Sequence, residues 1–275
     1  MKTKLTLLTL LPVLMLASCG DGNEIKDEAK IKELKDSISE KAKEVKNYEL
    51  VIKANSDSYD EDEQKTITTK GTSTFMANDK NELYLKSSAT RGNEKSESTI
   101  YLVNNEEYQQ VMYVSAFNPD SNKNDITVYG YEGNEMTFAF ATMYFIVPQS
   151  YYSLFNDPNS FDLSKTAIEN GEIKRDYDQE TKYYSKGDGN LTIKAEAKIK
   201  GEVNKEENEY PCSVSYTVSY DKYALKTVKI NQESNKGSKS KTEITMNIKD
   251  NLEIKLPDGW KDLINKETPE DNSKN

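Results

Sequence analysis

The chain has 275 residues, with 37 basic and 47 acidic side chains, a formal net charge of −10 and no histidine. The missing histidine excludes Ser-His-Asp and Cys-His catalysis, His-ligated zinc and the imidazole general base. Only Arg91 and Arg175 offer a bidentate guanidinium, and a net negative chain repels a polyanion, so nucleic acid is not an expected partner.

Lys2 and Lys4 precede an uncharged, Leu-rich run from Leu5 to Ser18. That is the charged and apolar pattern of a secretory signal. The run is shorter than the roughly 20 apolar residues a spanning helix needs. It ends in Leu16-Ala17-Ser18-Cys19, which resembles the bacterial lipobox. The resemblance implies diacylglyceryl transfer to the Cys19 thiol and cleavage before it, with Leu16, Ala17 and Ser18 as the recognition residues. An ordinary cleaved signal and an uncleaved anchor are the alternatives. Residues 1–18 are then a signal peptide, and 19–23 the lipidated terminus and its tether. Loss of Lys2 and Lys4 leaves 35 basic against 47 acidic residues, a net of −12. A two-chain anchor gives stable attachment where one chain does not, so the body is expected on the outer face of the cell membrane, or on an outer membrane if one is present. With Cys19 acylated, Cys212 has no intramolecular partner and no disulfide is expected.

From Glu24 to Lys46, Ile31, Leu34, Ile38, Ala42 and Val45 recur at helical steps, and Asn23 is positioned as the cap. This predicts an amphipathic helix packed on a sheet, or a short coiled-coil stalk. After Asn47 the period falls to two. Tyr48, Leu50, Ile52 and Ala54 share one side, and the acidic stretch 57–63 reads as a hairpin tip or loop. Strand patterns follow at 65–76, 81–91, 98–103, 107–117 and 125–133, each bounded by turn-forming residues.

Residues 136–156 interrupt this alternation with 21 residues free of charge. Pro148 predicts a short helix over Gln149–Phe155. Phe138, Phe140, Met143, Phe145, Tyr151 and Phe155 are the candidate lining of an apolar cavity. Beyond it, residues 177–185 and 191–200 flank a turn at 186–190. Cys212, Val214, Tyr216, Val218 and Tyr220 alternate with polar residues, as do Val228, Ile230, Ile244, Met246 and Ile248. Cys212 thus falls on the packed side.

The expected fold is α+β, mainly β. A large curved antiparallel sheet of about 9–11 strands carries an N-terminal amphipathic helix and a short helix over its concave face. Residues 24–260 form one domain and 261–275 a polar tail. The order of elements, closing with Ile254-Lys255-Leu256-Pro257, is similar to the lipoprotein-carrier superfamily, which includes lipid-binding lipoproteins of mycobacteria. That resemblance implies a half-barrel whose cavity holds acyl chains, and a last strand ending at the proline.

The remaining clusters have plainer readings. Asp57 to Glu63 lacks calcium-loop spacing, and Asp176, Asp178 and Glu180 are followed by Thr181 where the loop needs glycine. Both read as solvated charge. Ser238 and Lys241 match S-x-x-K without its companion motifs. The 18 tyrosines suit strands, although Tyr129, Tyr131, Tyr183 and Tyr184 could also contact sugars or peptides. No catalytic residue, metal or cofactor is expected. The expected function is a non-enzymatic, membrane-anchored lipoprotein binding a lipid or other apolar ligand. The alternative is an envelope or adhesion module that binds protein or glycan.

Overall fold

The computed structural model describes residues 22–60, 64–118, 120–130, 143–164, 176–187, 189–206 and 208–264. The sheet contains β1 (Asn23–Ile25), β2 (Tyr48–Asp60), β3 (Lys65–Ala77), β4 (Leu83–Arg91), β5 (Glu94–Asn105), β6 (Gln109–Asn118) and β7 (Lys123–Gly130). It continues with β8 (Tyr177–Gly187), β9 (Asn190–Ile199), β10 (Pro211–Asp221), β11 (Ala224–Ser234) and β12 (Lys239–Ile248). The helices are α1 (Glu28–Ala42) and α2 (Ile146–Asn156).

All twelve strands form one antiparallel sheet in the order β1-β8-β9-β10-β11-β12-β2-β3-β4-β5-β6-β7. Two meanders, β2–β7 and β8–β12, therefore join where β12 pairs with β2. The fold is mainly β, a curved open sheet with two helices. The strand count exceeds the expected range because Asn23–Ile25 is not part of the helix. It pairs with β8, placing Ile25 opposite Tyr183. Helix α1 starts at Glu28, and Asp27 caps it, its Oδ1 accepting from the amides of Ala29 (2.9 Å) and Lys30 (3.3 Å). The cap is thus Asp27 and not Asn23, whose backbone is committed to the sheet.

Period-two patterning makes the core. Leu50, Phe75, Leu85, Ile100 and Met246 meet across neighbouring strands on the concave side and are buried. So do Ile52, Ile244, Val228, Val218 and Ile193. Burial of each such side chain contributes about 1.5–3 kcal/mol. Helix α1 adds Ile38 and Ala42, with Leu34 and Val45 packed at the margin.

Strand β2 carries Asp57 to Asp60 into register with β3, so the first half of the expected acidic loop is strand; Asp57 accepts from Thr68 Oγ1 at 2.7 Å. At the β10–β11 hairpin, Lys222 and Tyr223 both have positive φ (49° and 65°), the two-residue turn whose twist matches the strands. The Tyr223 amide donates to the Gly189 carbonyl at 2.9 Å. A Cβ on Gly189 (φ +71°) would sit 2.5 Å from the Tyr223 ring, so this contact requires glycine.

A second, smaller cluster covers the convex face. Met76, Tyr84, Tyr101, Val103, Val111 and Tyr113 gather there under Ile254, Leu256, Trp260 and Ile264. The rings of Tyr84 and Tyr101 lie 4.9 Å apart, and those of Tyr101 and Trp260 5.4 Å. Residues 249–264 thus act as a strap. Ile254-Lys255-Leu256-Pro257 does not form the expected terminal strand. Lys261–Leu263, placed in the polar tail by its composition, makes a short 3-10 turn beside Trp260.

Candidate functional site

The apolar insert is the sequence feature with the strongest claim to a site. Leu16, Ala17, Ser18, Cys19, Phe138 and Phe140 lie outside the described residues. The other four candidates divide sharply. Phe145 and Phe155 are fully buried. Phe145 packs on Phe75 with ring centroids 6.2 Å apart, and Phe155 on Phe161 (5.5 Å) and Tyr216 (5.9 Å). They fill the concave face where the sequence suggested cavity lining. Tyr151 is half-buried against the core. Met143 points outward and is 54% exposed.

Helix α2 begins three residues earlier than Pro148 suggested. Pro148 stands in the first turn, where its missing N–H has no intrahelical partner to lose. The helix locks onto α1 through polar side chains. Buried Asn156 donates from Nδ2 to the Ala42 carbonyl (3.4 Å) and to Tyr152 Oη (2.9 Å), and Tyr152 donates to the Val45 carbonyl (3.4 Å). These bonds reach the carbonyl of Ala42, the last residue of α1, and that of Val45 three residues beyond it. The Tyr152 ring stacks on Tyr48 at 4.0 Å and 6°. Tyr220 donates to the Phe155 carbonyl at 2.7 Å, and Ser39 of α1 donates to Asp157. Burial pushes the Tyr152 phenol up to about 12 and also raises Tyr48 and Tyr220.

The opposite side of α2's start is bare. Tyr144, Ile146 and Val147 are 55%, 50% and 60% exposed, next to Met143. Ring packing says where this patch lies: Phe145 rests on Phe75, two residues before the end of β3, and Tyr152 on Tyr48, the first residue of β2. β1 enters the sheet at Asn23 and runs antiparallel to β8, which ends at Gly187. Following the alternation through the sheet, β3 ends, β2 starts and β7 ends at that same end of the sheet. The exposed residues beside Phe145 therefore lie at the end of the sheet where β1 begins.

The other candidates are structural or solvated. Asp176 and Asp178 flank Lys200, each at 3.3 Å, and Glu180 pairs with Lys182 at 2.9 Å. Among the described residues no trio of His, Cys, Asp or Glu could hold a metal ion. Cys212 is half-buried and not in the core. A register shift between Pro211 and Ser213 takes it out of the alternation, and its thiol donates to the Glu233 carbonyl at 3.1 Å. Burial, then Glu233, raises its pKa, which leaves it a poor nucleophile. Tyr129 and Tyr183 pack on the core, Tyr184 lies 5.2 Å under Lys194 Nζ, and Tyr131 is outside the described residues. Lys239 to Lys241 belong to β12 and not to a loop.

No protein-family model matches the chain, and no curated protein does. Among solved structures it is similar to a DUF1329 family protein from Desulfovibrio piger, at 14% identity and a TM-score of 0.24, over 81% of this chain and 95% of that one. It is also similar to a beta-barrel-like protein of domain of unknown function DUF1849 from Brucella abortus. There the identity is 9% and the TM-score 0.20, over 75% and 99% of the two chains. At these scores no property of either protein transfers to this chain.

Proposed function

We propose that this chain is a lipid-anchored, extracytoplasmic, non-enzymatic binding protein that engages an apolar ligand, such as an acyl chain, at the end of the sheet nearest its anchor. One observation carries the reading: Met143, Tyr144, Ile146 and Val147 are each half exposed or more at the sheet end where the N-terminus enters. Contiguous exposed apolar side chains mark contact sites more often than chance surface. Cys19 supplies the anchor, and the apolar patch faces the membrane that the anchor defines. Phe145 and Phe155 occupy the concave face beneath α2, which leaves Met143, Tyr144, Ile146 and Val147 to contact the ligand.

Two experiments test this. Substitution Cys19→Ala removes metabolic labelling by fatty acid; persistent labelling contradicts the anchor. A chain starting at Gly22 binds a fluorescent acyl probe, and Met143→Asp with Val147→Asp weakens that binding by about tenfold or more, since removing an apolar side chain from the probe costs on the order of 1 kcal/mol at each position. Equal binding by the variant contradicts this patch as the site.

A further inference from the structure

The convex face carries a second surface, unlike the first in chemistry and position. Cross-strand register aligns Asn231, Lys241, Asn55, Lys70, Thr90 and Lys95 in one row from β11 to β5. Neighbouring strands lie about 4.8 Å apart, so Lys241, Lys70 and Lys95 recur about every 10 Å along the row. The adjacent row places Lys229, Glu243, Lys53 and Thr72 side by side. Grooves of about 470 Å³ and 390 Å³ follow these rows and share Lys70, Gly71 and Thr72. A third, of about 500 Å³, extends them to β9 and shares Asn231 and Lys241.

The charge balance here is the reverse of the whole chain's. Every glutamate lining the three grooves is already in an ion pair: Glu97 with Lys86, Glu196 with Lys198, Glu233 with Lys239 and Glu243 with Lys229. Lys53, Lys70, Lys95 and Lys241 pair with no carboxylate of another described residue. A chain with net charge −10 thus holds a line of uncompensated cations at regular spacing.

We infer that this row binds a linear acidic polysaccharide lying across the strands. The periodic lysines meet its carboxylate or sulfate groups, and the amides and hydroxyls between them bond its sugar hydroxyls. Arginine is absent from the row, and the three grooves hold a single aromatic ring, Phe117. Bidentate guanidinium and successive base stacking are what nucleic acids recruit. The row also lies far from the anchor. Lys53 is five residues and Lys70 seven residues from that end of their strands, about 17 and 24 Å at 3.4 Å per residue. The headgroups of the anchoring membrane are out of reach.

The test uses the purified full-length chain and four probes: polygalacturonate, heparin fragments, neutral dextran and duplex DNA. Binding to one or both acidic glycans, weakening as salt rises, and none to dextran is the expected result. Lys70→Glu with Lys241→Glu lowers that affinity on the order of tenfold or more. The same charge change at the anchor end, Lys80→Glu with Lys222→Glu, does not. No binding to either acidic glycan, an unchanged affinity in the groove variant, or equally tight binding to duplex DNA overturns the inference.

Discussion

At the scale of single residues, the contact between the two helices depends on a few buried polar atoms. Asn156 donates to the carbonyl of Ala42, the last residue of α1, and Tyr152 to that of Val45 just beyond it. Asn156→Ala removes the buried amide's bonds to the Ala42 carbonyl and to Tyr152 Oη and lowers stability by about 1–2 kcal/mol; urea denaturation measures it. Tyr220→Phe removes the bond to the Phe155 carbonyl at a similar cost of about 1–2 kcal/mol. The buried phenols also set an alkaline limit. Unfolded tyrosines ionise near about pH 10. In the fold, Tyr152 is pushed up to about 12, and Tyr48 and Tyr220 are likewise raised, chiefly by burial. Above about pH 10 the unfolded chain releases protons that the folded chain keeps, so stability falls as pH rises toward 12. Phenolate absorbance and loss of circular dichroism should therefore rise together there. Ionisation of every tyrosine before unfolding would contradict it.

At the scale of elements, alternation made the strands readable because most of them have one dry and one wet face. The same logic failed where both faces are covered. Residues 100–103 and 111–114 are apolar at every position, the mark of a strand buried on both sides. That run was the available signal for the strap over Tyr101, Val103, Val111 and Tyr113. Within the strap, Ile254 to Pro257 were expected as a terminal strand, and their true packing partners were hidden because they lie more than a hundred residues away. Cys212 was misplaced by one bulge, which shifts a residue across the sheet without changing its sequence pattern. Asn23 and Asp27 both suit a helix cap, and only the pairing of β1 with β8 chooses between them. Trp260 is the sole tryptophan and so reports the strap by fluorescence. Trp260→Ala costs about 2 kcal/mol. In the intact chain, tryptophan emission and circular dichroism should trace one denaturation curve, and an earlier emission change would mean that the strap detaches on its own.

At the scale of the whole molecule, one sheet separates two chemistries. The end where β1 begins presents Met143, Tyr144, Ile146 and Val147, and the convex face farther along presents the lysine row. The apolar insert was visible in the sequence as a long uncharged run. Which of its residues fill the core and which reach solvent was not, because Met143 and Phe145 differ only in the direction that the turn before α2 gives them. The lysine row was invisible for another reason: Lys70, Lys95 and Lys241 become neighbours only through strand register. Native mass spectrometry of a chain starting at Gly22 tests whether the exposed patch of the insert holds a lipid. A bound lipid that is absent from the Met143→Asp, Val147→Asp variant is the predicted result. A chain that carries no lipid when folded in the presence of lipid, or one whose bound lipid persists in that variant, would contradict it.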